Sequence, residues 1–425
     1  MLNYLQPIAA SIICSDRLYK FQHGIQELKR LITRKGHKAV FYFDIEDPNS
    51  YLMINKVIEL EQVFKVSFEI IVVAPNSPEY NPEPALAEKY ALKDAEILAQ
   101  AWHQTFPHFV PKQDRLVAEA LRLLLYKQAT SFEWLKLART VCEYFWAGDY
   151  SSIHKLMNQE KSVDNFDYQD TLKKNTDKLY KSGFYKGSAI YYGKEWYYGL
   201  DRIYLLEQRL DRLGAADHAS FVTPDWGCIS NSNPQDSAIE MFFSFRSPYS
   251  YLAIWRLYHG TYQHPRNAKL ELKPILPMVT RGLPVPRKKK MYILKDAARI
   301  ARYESIPFGK VRDPLGDSVT ACIHLFYAVE SSKRLEVSYD VMHRIWAQGQ
   351  DISHPDILKN LCLHYKVDYQ EITLSIRNEN SFTHAENNRK TLTHYGLWGV
   401  PSFRKGNVVV WGQDRMPVFF NEKST

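Results

Sequence analysis

The chain has 425 residues, of which 45% are hydrophobic and 24% charged, and it carries a formal net charge of +8. This length favours two or three domains over one, and no apolar run approaches the roughly 18 residues of a transmembrane helix. The basic residues are dispersed among acidic ones, so no nucleic-acid-binding surface is predicted. The short basic run at 287–290 marks at most a local anion site.

Cysteine usage excludes two further classes of protein. The five cysteines form no C-x-x-C and no metal-ligand spacing, so neither a disulfide framework nor a metal site is predicted. They are Cys14, Cys142, Cys228, Cys322 and Cys362. The apolar patch at 5–14 lacks a basic lead and a small-residue cleavage site, so we expect a cytoplasmic protein with no membrane partner.

Residues 1–36 are predicted to be a helical segment that packs against the first domain. Its apolar residues recur at spacings of three and four, which is typical of an amphipathic helix with one buried face, and Gly36 is a stop signal. These residues are Leu18, Phe21, Ile25, Leu28 and Leu31.

The next elements reveal an internal duplication. A predicted strand at 39–44 leads into residues 47–52, and residues 247–252 match them at an offset of 200. Three further pairs follow in the same order: 90–95 with 292–297, 145–147 with 345–347, and 183–202 with 396–415. Four collinear matches predict two homologous domains, at 37–213 and 237–425, joined by a turn-rich linker at 214–236.

Both repeats follow the same predicted order of elements. A strand enters a helix, a second strand and a long helical insertion follow, and a hairpin closes the domain. In the second repeat the hairpin strands are 402–404 and 408–411 around Gly406. This order is an α/β layout of the thioredoxin type. The equivalent Trp146 and Trp346 are expected to anchor the two cores.

Ser247 and Pro248 mark the start of the helix after the strand at 241–245. Serine is a favoured N-cap, and proline suits the first helical position. Unpaired backbone N–H groups and the positive end of the helix dipole make this point a place where an anion is stabilised. Taken alone, the pair is also consistent with a helix cap that has no further role.

The second repeat resembles the DsbA-like thioredoxin-fold group, and within it the 2-hydroxychromene-2-carboxylate isomerases and kappa-class glutathione transferases. The matching motifs are 242–252, Lys289 with Tyr292 and Asp296, 306–309, 396–403 and 411–416. They span nearly the whole repeat in the same order. The resemblance implies two tandem DsbA-like thioredoxin domains with large helical insertions.

In the disulfide oxidoreductases of this fold, a C-x-x-C occupies the place of Ser247 and Ser250. Two hydroxyls exclude disulfide exchange by this motif. The resemblance implies instead that glutathione supplies the thiol and that Ser247 is the catalytic residue, donating a hydrogen bond to the sulfur.

The resemblance also implies the residues that would hold glutathione. Val400 and Pro401 resemble the cis-proline loop that faces the catalytic helix and presents backbone groups to an extended peptide; a trans proline opening a strand is the alternative. Asp414 and Arg415 would bind the γ-glutamyl end, unless they form a surface ion pair. Lys289 and Tyr292 would lie over the site and contact a carboxylate.

The first repeat lacks three of these features. Asp47 stands at the position of Ser247, Ala87 at that of Lys289 and Ser188 at that of Pro401. A carboxylate caps a helix well but repels a thiolate. We therefore expect a degenerate domain that either pairs with the second one in place of a dimer partner or carries an unrelated ligand. Because the closing helix of the second repeat is truncated, a homodimer contact is the alternative.

The sequence thus predicts a glutathione-dependent isomerase or transferase that acts on an unsaturated carbonyl compound through its C-terminal domain. Its partners would be glutathione and a small-molecule substrate. Two other functions stay open: a DsbA-like protein related to thiol-disulfide oxidoreductases but lacking C-x-x-C, and a non-catalytic thioredoxin-fold protein that binds peptides along Val400 and Pro401.

Overall fold

The computed structural model describes residues 2–107, 113–127, 131–159, 163, 166–216, 223–228, 238–263, 269–283, 285–376 and 382–422. The chain divides into two compact units. Gln22–Ile229 form the N-terminal unit, and Ser230–Thr425 together with Met1–Phe21 form the C-terminal unit. The first 21 residues thus group with the second half of the chain, which the predicted boundaries did not anticipate. Most of the predicted linker, 217–222 and 229–236, lies outside the described residues.

The predicted N-terminal helical segment consists of two helices, α1 (Leu2–Ile13) and α2 (Asp16–Ile32). The expectation that α2 buries its apolar face is wrong. None of its residues is buried, and Phe21, Ile25, Leu28 and Leu31 are 45–66% exposed. The spacing of three and four identified an amphipathic helix, but periodicity does not say which face meets the protein.

The N-terminal unit is built on a four-stranded sheet in the order β2-β1-β3-β4. Strands β1 and β2 are parallel, whereas β3 is antiparallel to both β1 and β4. The strands are β1 (His37–Phe43), β2 (Val66–Val72), β3 (Ala189–Tyr192) and β4 (Glu195–Tyr198). The helices are α3 (Pro48–Val63), α4 (Pro84–Ala101), α5 (Asp114–Tyr126), α6 (Ser131–Ala147), α7 (Tyr150–Asn158), α8 (Tyr168–Lys181) and α9 (Ile203–Arg212).

The C-terminal unit has a sheet of the same design, in the order β7-β5-β8-β9, with β5 and β7 parallel and the other pairs antiparallel. The strands, with a separate short pair β6 and β10, are β5 (Ile239–Phe243), β6 (Tyr262–Gln263), β7 (Leu270–Pro274), β8 (Ser402–Lys405), β9 (Val408–Trp411) and β10 (Asn421–Glu422). The helices are α10 (Pro248–Tyr258), α11 (Arg287–Tyr303), α12 (Asp317–Ala328), α13 (Arg334–His343), α14 (Pro355–Tyr365), α15 (Tyr369–Ile376) and α16 (Thr383–His394).

Strand β5 lies inside the C-terminal sheet, between β7 and β8. All five of its residues are buried, which is typical of a strand covered on both faces. The Trp346 side chain is buried, as expected, and its indole N–H donates to the Phe245 carbonyl at 3.1 Å. Trp346 therefore supports the segment that leaves β5 for α10.

The end of the C-terminal sheet differs from the predicted truncated helix. After Gly412 the chain makes a 3₁₀ turn over Gln413–Val418 and then forms β10, which pairs with β6.

No helix among the described residues combines the length and the apolar character needed to cross a bilayer.

Candidate active site at the start of α10

The turn from β5 into α10 is fixed by the hydroxyl of Ser247. Its Oγ accepts a hydrogen bond from the Ser250 N–H at 3.1 Å, and its extended backbone (φ −102°, ψ 116°) is that of an N-cap residue. Pro248 follows at the first helical position. The predicted N-cap is confirmed, and Ser247 lies half-buried at the positive end of an 11-residue helix.

A cis peptide bond between Val400 and Pro401 lies beside Ser247. The Ser247 hydroxyl donates to the Val400 carbonyl at 3.3 Å, which joins the helix start to the loop before β8. Gly399 brings this loop against β9, since a Cβ on Gly399 would lie 2.3 Å from the Trp411 ring. The helix start, the cis proline and the hairpin therefore meet at one point.

The two hydroxyls of the Ser-Pro-Tyr-Ser motif have different surroundings. Ser250 is fully buried, and its Oγ accepts from the Ser244 N–H at 3.4 Å. Ser247 keeps exposed surface. Ser247 is therefore the hydroxyl of this motif that an external ligand can reach.

A buried carboxylate, Asp313, holds two cations close to the helix start. Arg246, the residue before Ser247, donates to it through Nε at 2.6 Å and Nη2 at 2.9 Å, and Lys290 of α11 donates through Nζ at 2.9 Å. Burial opposes ionisation of Asp313, but the hydrogen bonds and charges of Arg246 and Lys290 outweigh it and hold its pKa below the usual range. Sequence reasoning missed this cluster, although Lys290 belongs to the basic run at 287–290 and remains exposed while it pairs with Asp313.

Helix α11 also contacts α10 through Tyr249, whose hydroxyl donates to Asp296 at 2.8 Å. Asp296 is almost fully buried and pairs with Arg299 at 2.6 Å. Lys289 and Tyr292 lie half-buried on the first two turns of α11. The structure thus places both predicted residues on the helix that Tyr249 and Asp313 join to the start of α10.

Asp414 and Arg415, the two residues predicted to bind the γ-glutamyl end of glutathione, differ in exposure. Asp414 is half-buried beside Gln413, whose amide donates to its carboxylate, and Gln413 also accepts from Arg256. Arg415 is only 3% exposed. A side chain so deeply buried favours a structural role, so the prediction that Arg415 binds a ligand is not supported by its position.

The equivalent helix start in the N-terminal unit is filled by its own ion pair. The carboxylate of Asp47 caps α3 by accepting from the Asn49 N–H at 3.0 Å, and Lys186 pairs with it at 3.1 Å. Lys186 also donates to Tyr198. Burial disfavours the charged form of both residues. The charge of Lys186 outweighs this effect at Asp47 and lowers the pKa of Asp47, and the charge of Asp47 in turn raises the pKa of Lys186.

The same helix start carries a second polar contact, in which Ser50 Oγ and Ser188 Oγ lie 2.8 Å apart. Ser188 is fully buried at the position equivalent to Pro401. The polar groups at this point are therefore satisfied by the unit itself.

The described cysteines offer no reactive thiol. Burial raises the pKa of Cys14 and of Cys362 to about 11 and raises those of Cys142 and Cys322 well above the ordinary value. Within the described part of the chain, no group of three or more His, Cys, Asp or Glu side chains could hold a metal ion. At the helix start itself the chain has hydroxyls, Ser247 and Ser250, in place of thiols.

Comparison with known proteins found solved structures that each cover less than half of this chain. Solved structures similar to the chain include a 2-hydroxychromene-2-carboxylate isomerase (18% identity, 42% of this chain, 90% of that chain, TM-score 0.36). A probable DsbA oxidoreductase from Streptomyces coelicolor also matches (13% identity, 43% and 87%, TM-score 0.34). A third is the cytosolic disulfide reductase DsbM from Pseudomonas aeruginosa (16% identity, 41% and 87%, TM-score 0.31), which was also solved with GSH.

No curated protein matches the chain. Residues 238–422 match the family described as the DSBA-like thioredoxin domain. This range begins next to β5 and ends with β10, so it contains the complete sheet, the Ser247 helix start and the cis proline. Residues 238–422 of this chain are therefore a DSBA-like thioredoxin domain.

Proposed function

We propose that the C-terminal domain binds the thiol of glutathione at the start of α10 and uses it in an isomerase or transferase reaction on an unsaturated carbonyl compound. One observation carries the proposal. A half-exposed serine hydroxyl caps the helix and faces a cis proline, at the place where oxidoreductases of this fold carry their own thiol.

Local charge favours a thiolate at this point. The positive end of α10 lies at Ser247, and in the cluster that begins at the neighbouring Arg246 two cations, Arg246 and Lys290, pair with one carboxylate, Asp313. The Ser247 hydroxyl now donates to the Val400 carbonyl. Because a hydroxyl hydrogen rotates about its C–O bond, Ser247 can turn to donate to sulfur while its oxygen still caps the helix.

The chemistry that glutathione supplies is reversible addition. A carbon–sulfur bond forms as the thiolate adds to the conjugated carbon, and the electron pair moves onto the carbonyl oxygen. The former double bond rotates, the carbon–sulfur bond breaks and the thiolate is restored, with no net oxidation. Ser247 and the helix end would stabilise the sulfur charge before addition and after elimination.

Four other residues are proposed to hold the ligand. The Val400 backbone beside Pro401 would pair with the peptide part of glutathione, and Asp414 would bind its ammonium group. Lys289 would attract a carboxylate, and Tyr292 would line the same side. These four residues are half-buried, which leaves surface for such contacts, whereas Pro401 is buried.

The test is turnover of an aromatic enone with glutathione by Ser247→Ala. Loss of a hydrogen bond to a charged sulfur is expected to reduce kcat/KM by about 10- to 100-fold. Ser247→Thr keeps the hydroxyl and should retain most of the activity. Asp167→Ala removes the exposed cap of α8, whose carboxylate accepts from the Gln169 N–H, and controls for the loss of a cap alone. Unchanged turnover in Ser247→Ala would exclude the proposed role.

Two alternative functions, dithiol exchange and peptide binding, can be distinguished from the proposed one with the same protein and its Ser247→Ala variant. Dithiol exchange at the helix start requires cysteines at 247 and 250, where this chain has serines. A peptide-binding protein would bind extended peptides along Val400 with an affinity that Ser247→Ala leaves unchanged. Glutathione-dependent turnover that falls with the hydroxyl would separate the enzyme from the binding protein.

A further inference from the structure

Helix α2 presents an apolar surface to solvent on the N-terminal unit. Its side chains Ile25, Leu28, Leu31 and Ile32 are 45%, 58%, 57% and 73% exposed; we call these four residues the α2 stripe. Ile25, Leu28 and Ile32 follow the spacing that places side chains on one helix face, and Leu31 extends it. Contiguous exposed apolar residues of this size mark interaction surfaces more often than isolated ones do.

The opposite, polar face of α2 is the one that meets the unit. His23 Nε2 lies 3.1 Å from the Glu195 carboxylate, and both side chains are less than 20% exposed. Glu27 and Arg30 pair with each other at 22–24% exposure. The helix is therefore held by its polar side, and the α2 stripe is left outward without a role in the fold of this unit.

Exposed cations border the α2 stripe. Residues 16–35 contain six basic and two acidic residues, a net charge of +4. Both acids already pair with bases of this segment, Asp16 with Lys20 and Glu27 with Arg30. Lys29, Arg34 and Lys35 are exposed. The surface therefore combines an apolar centre with a positive margin.

An apolar centre with a positive margin favours an anionic membrane over a second copy of this chain. A second copy would bring two segments of net charge +4 together, which like-charge repulsion opposes. An anionic bilayer offers acyl chains to the α2 stripe and negative headgroups to the lysines and arginines, and long basic side chains reach such headgroups from the edge of an apolar face.

We propose that α2 binds the surface of anionic lipid membranes as an interfacial helix, with the α2 stripe against the acyl chains, although the sequence alone predicted no membrane partner.

The test uses the full chain and vesicles of phosphatidylcholine with and without phosphatidylserine. We expect co-sedimentation with the anionic vesicles that weakens between about 0.1 M and about 0.5 M salt. The double variant Ile25→Gln, Leu28→Gln should lower the fraction bound at least tenfold. Because both side chains are exposed, its melting temperature should equal that of the wild type.

The matched control removes two apolar side chains elsewhere. Leu363 and Leu374 are 79% and 68% exposed, and the variant Leu363→Gln, Leu374→Gln should bind vesicles as the wild type does. Absence of binding to anionic vesicles, or an equal loss in both variants, overturns the proposal. A dimer seen by light scattering without lipid, and lost only in the α2 variant, would assign the surface to a second copy and also overturn it.

Discussion

The two units differ in the chemistry of the residue that caps the helix after their first strand. Ser247 and Asp47 both cap a helix that begins with proline. A neutral hydroxyl leaves the positive helix end open to an external anion, whereas a carboxylate provides the anion itself and requires Lys186 to balance it. This contrast could be predicted from the sequence because an N-cap and its proline are adjacent residues.

Asp313 could not be predicted in the same way. It lies 67 residues from Arg246, and an isolated aspartate before a proline carries no signal of the cation it will meet. Arg415 shows a different limit, because a family motif assigned it to a ligand and its burial could not be read from that motif. Contacts within a motif were predictable, whereas contacts between distant segments depend on packing.

Asp313→Asn is expected to destabilise the protein at neutral pH by about 2–3 kcal/mol, because Arg246 and Lys290 lose their counter-charge. The pKa of Asp313 is lowered in the folded state. Its contribution is therefore present above the unfolded pKa of about 3.9 and is lost as the pH falls through the lower folded value. Urea unfolding at about pH 7 and about pH 3 measures the difference between variant and wild type at each pH.

Asp356 provides the control for this substitution. It is 87% exposed, and Asp356→Asn should change the free energy of unfolding by less than about 0.5 kcal/mol. A destabilisation by Asp313→Asn that stays constant down to the acid limit would show that its charge is not the cause.

At the scale of the element, hydrophobic period and turn chemistry predicted the central strands and the closing hairpin. Strands β8 and β9 flank Gly406, which adopts a left-handed conformation with φ of +57°, as a tight turn requires. The predicted orientation of α2 was wrong because an amphipathic pattern has two faces, and here the polar face, through the contact of His23 with Glu195, meets the unit.

The ion pair at the start of α3 predicts strong coupling between Asp47 and Lys186. Lys186→Met leaves the buried Asp47 carboxylate without a counter-charge, and about 3 kcal/mol of unfolding free energy should be lost. The double variant Asp47→Asn, Lys186→Met removes both charges and should recover much of that loss. A double-mutant cycle by urea unfolding measures the coupling; single-variant effects that add exactly to the effect of the double variant would contradict it.

At the scale of the whole chain, both units contain a four-stranded sheet with the same order and the same pattern of parallel and antiparallel pairs. We propose that they arose by duplication, since the sequence matches occur in the same order in both. The family match covers only 238–422. The retained activity would therefore belong to the C-terminal unit.

This division predicts one glutathione site per chain. Titration calorimetry with the full chain should give a stoichiometry near one, because Asp47 and Lys186 fill the equivalent point of the N-terminal unit. Ser247→Ala should weaken binding at that single site. Two equivalents with similar affinity would show that the N-terminal unit also binds the ligand.

The π-helical turn at Arg344–Gln348, which follows α13, has a consequence for how this domain can diverge. Its carbonyls at Ile345 and Trp346 accept from the N–H groups of Arg312 and Gly309, both at 2.9 Å, so this turn fixes the segment that carries Asp313. Deleting one residue here would restore α-helical geometry and rotate later side chains by about 100°. Related sequences should therefore keep the length of this turn, even where they differ at an exposed position such as Gln348.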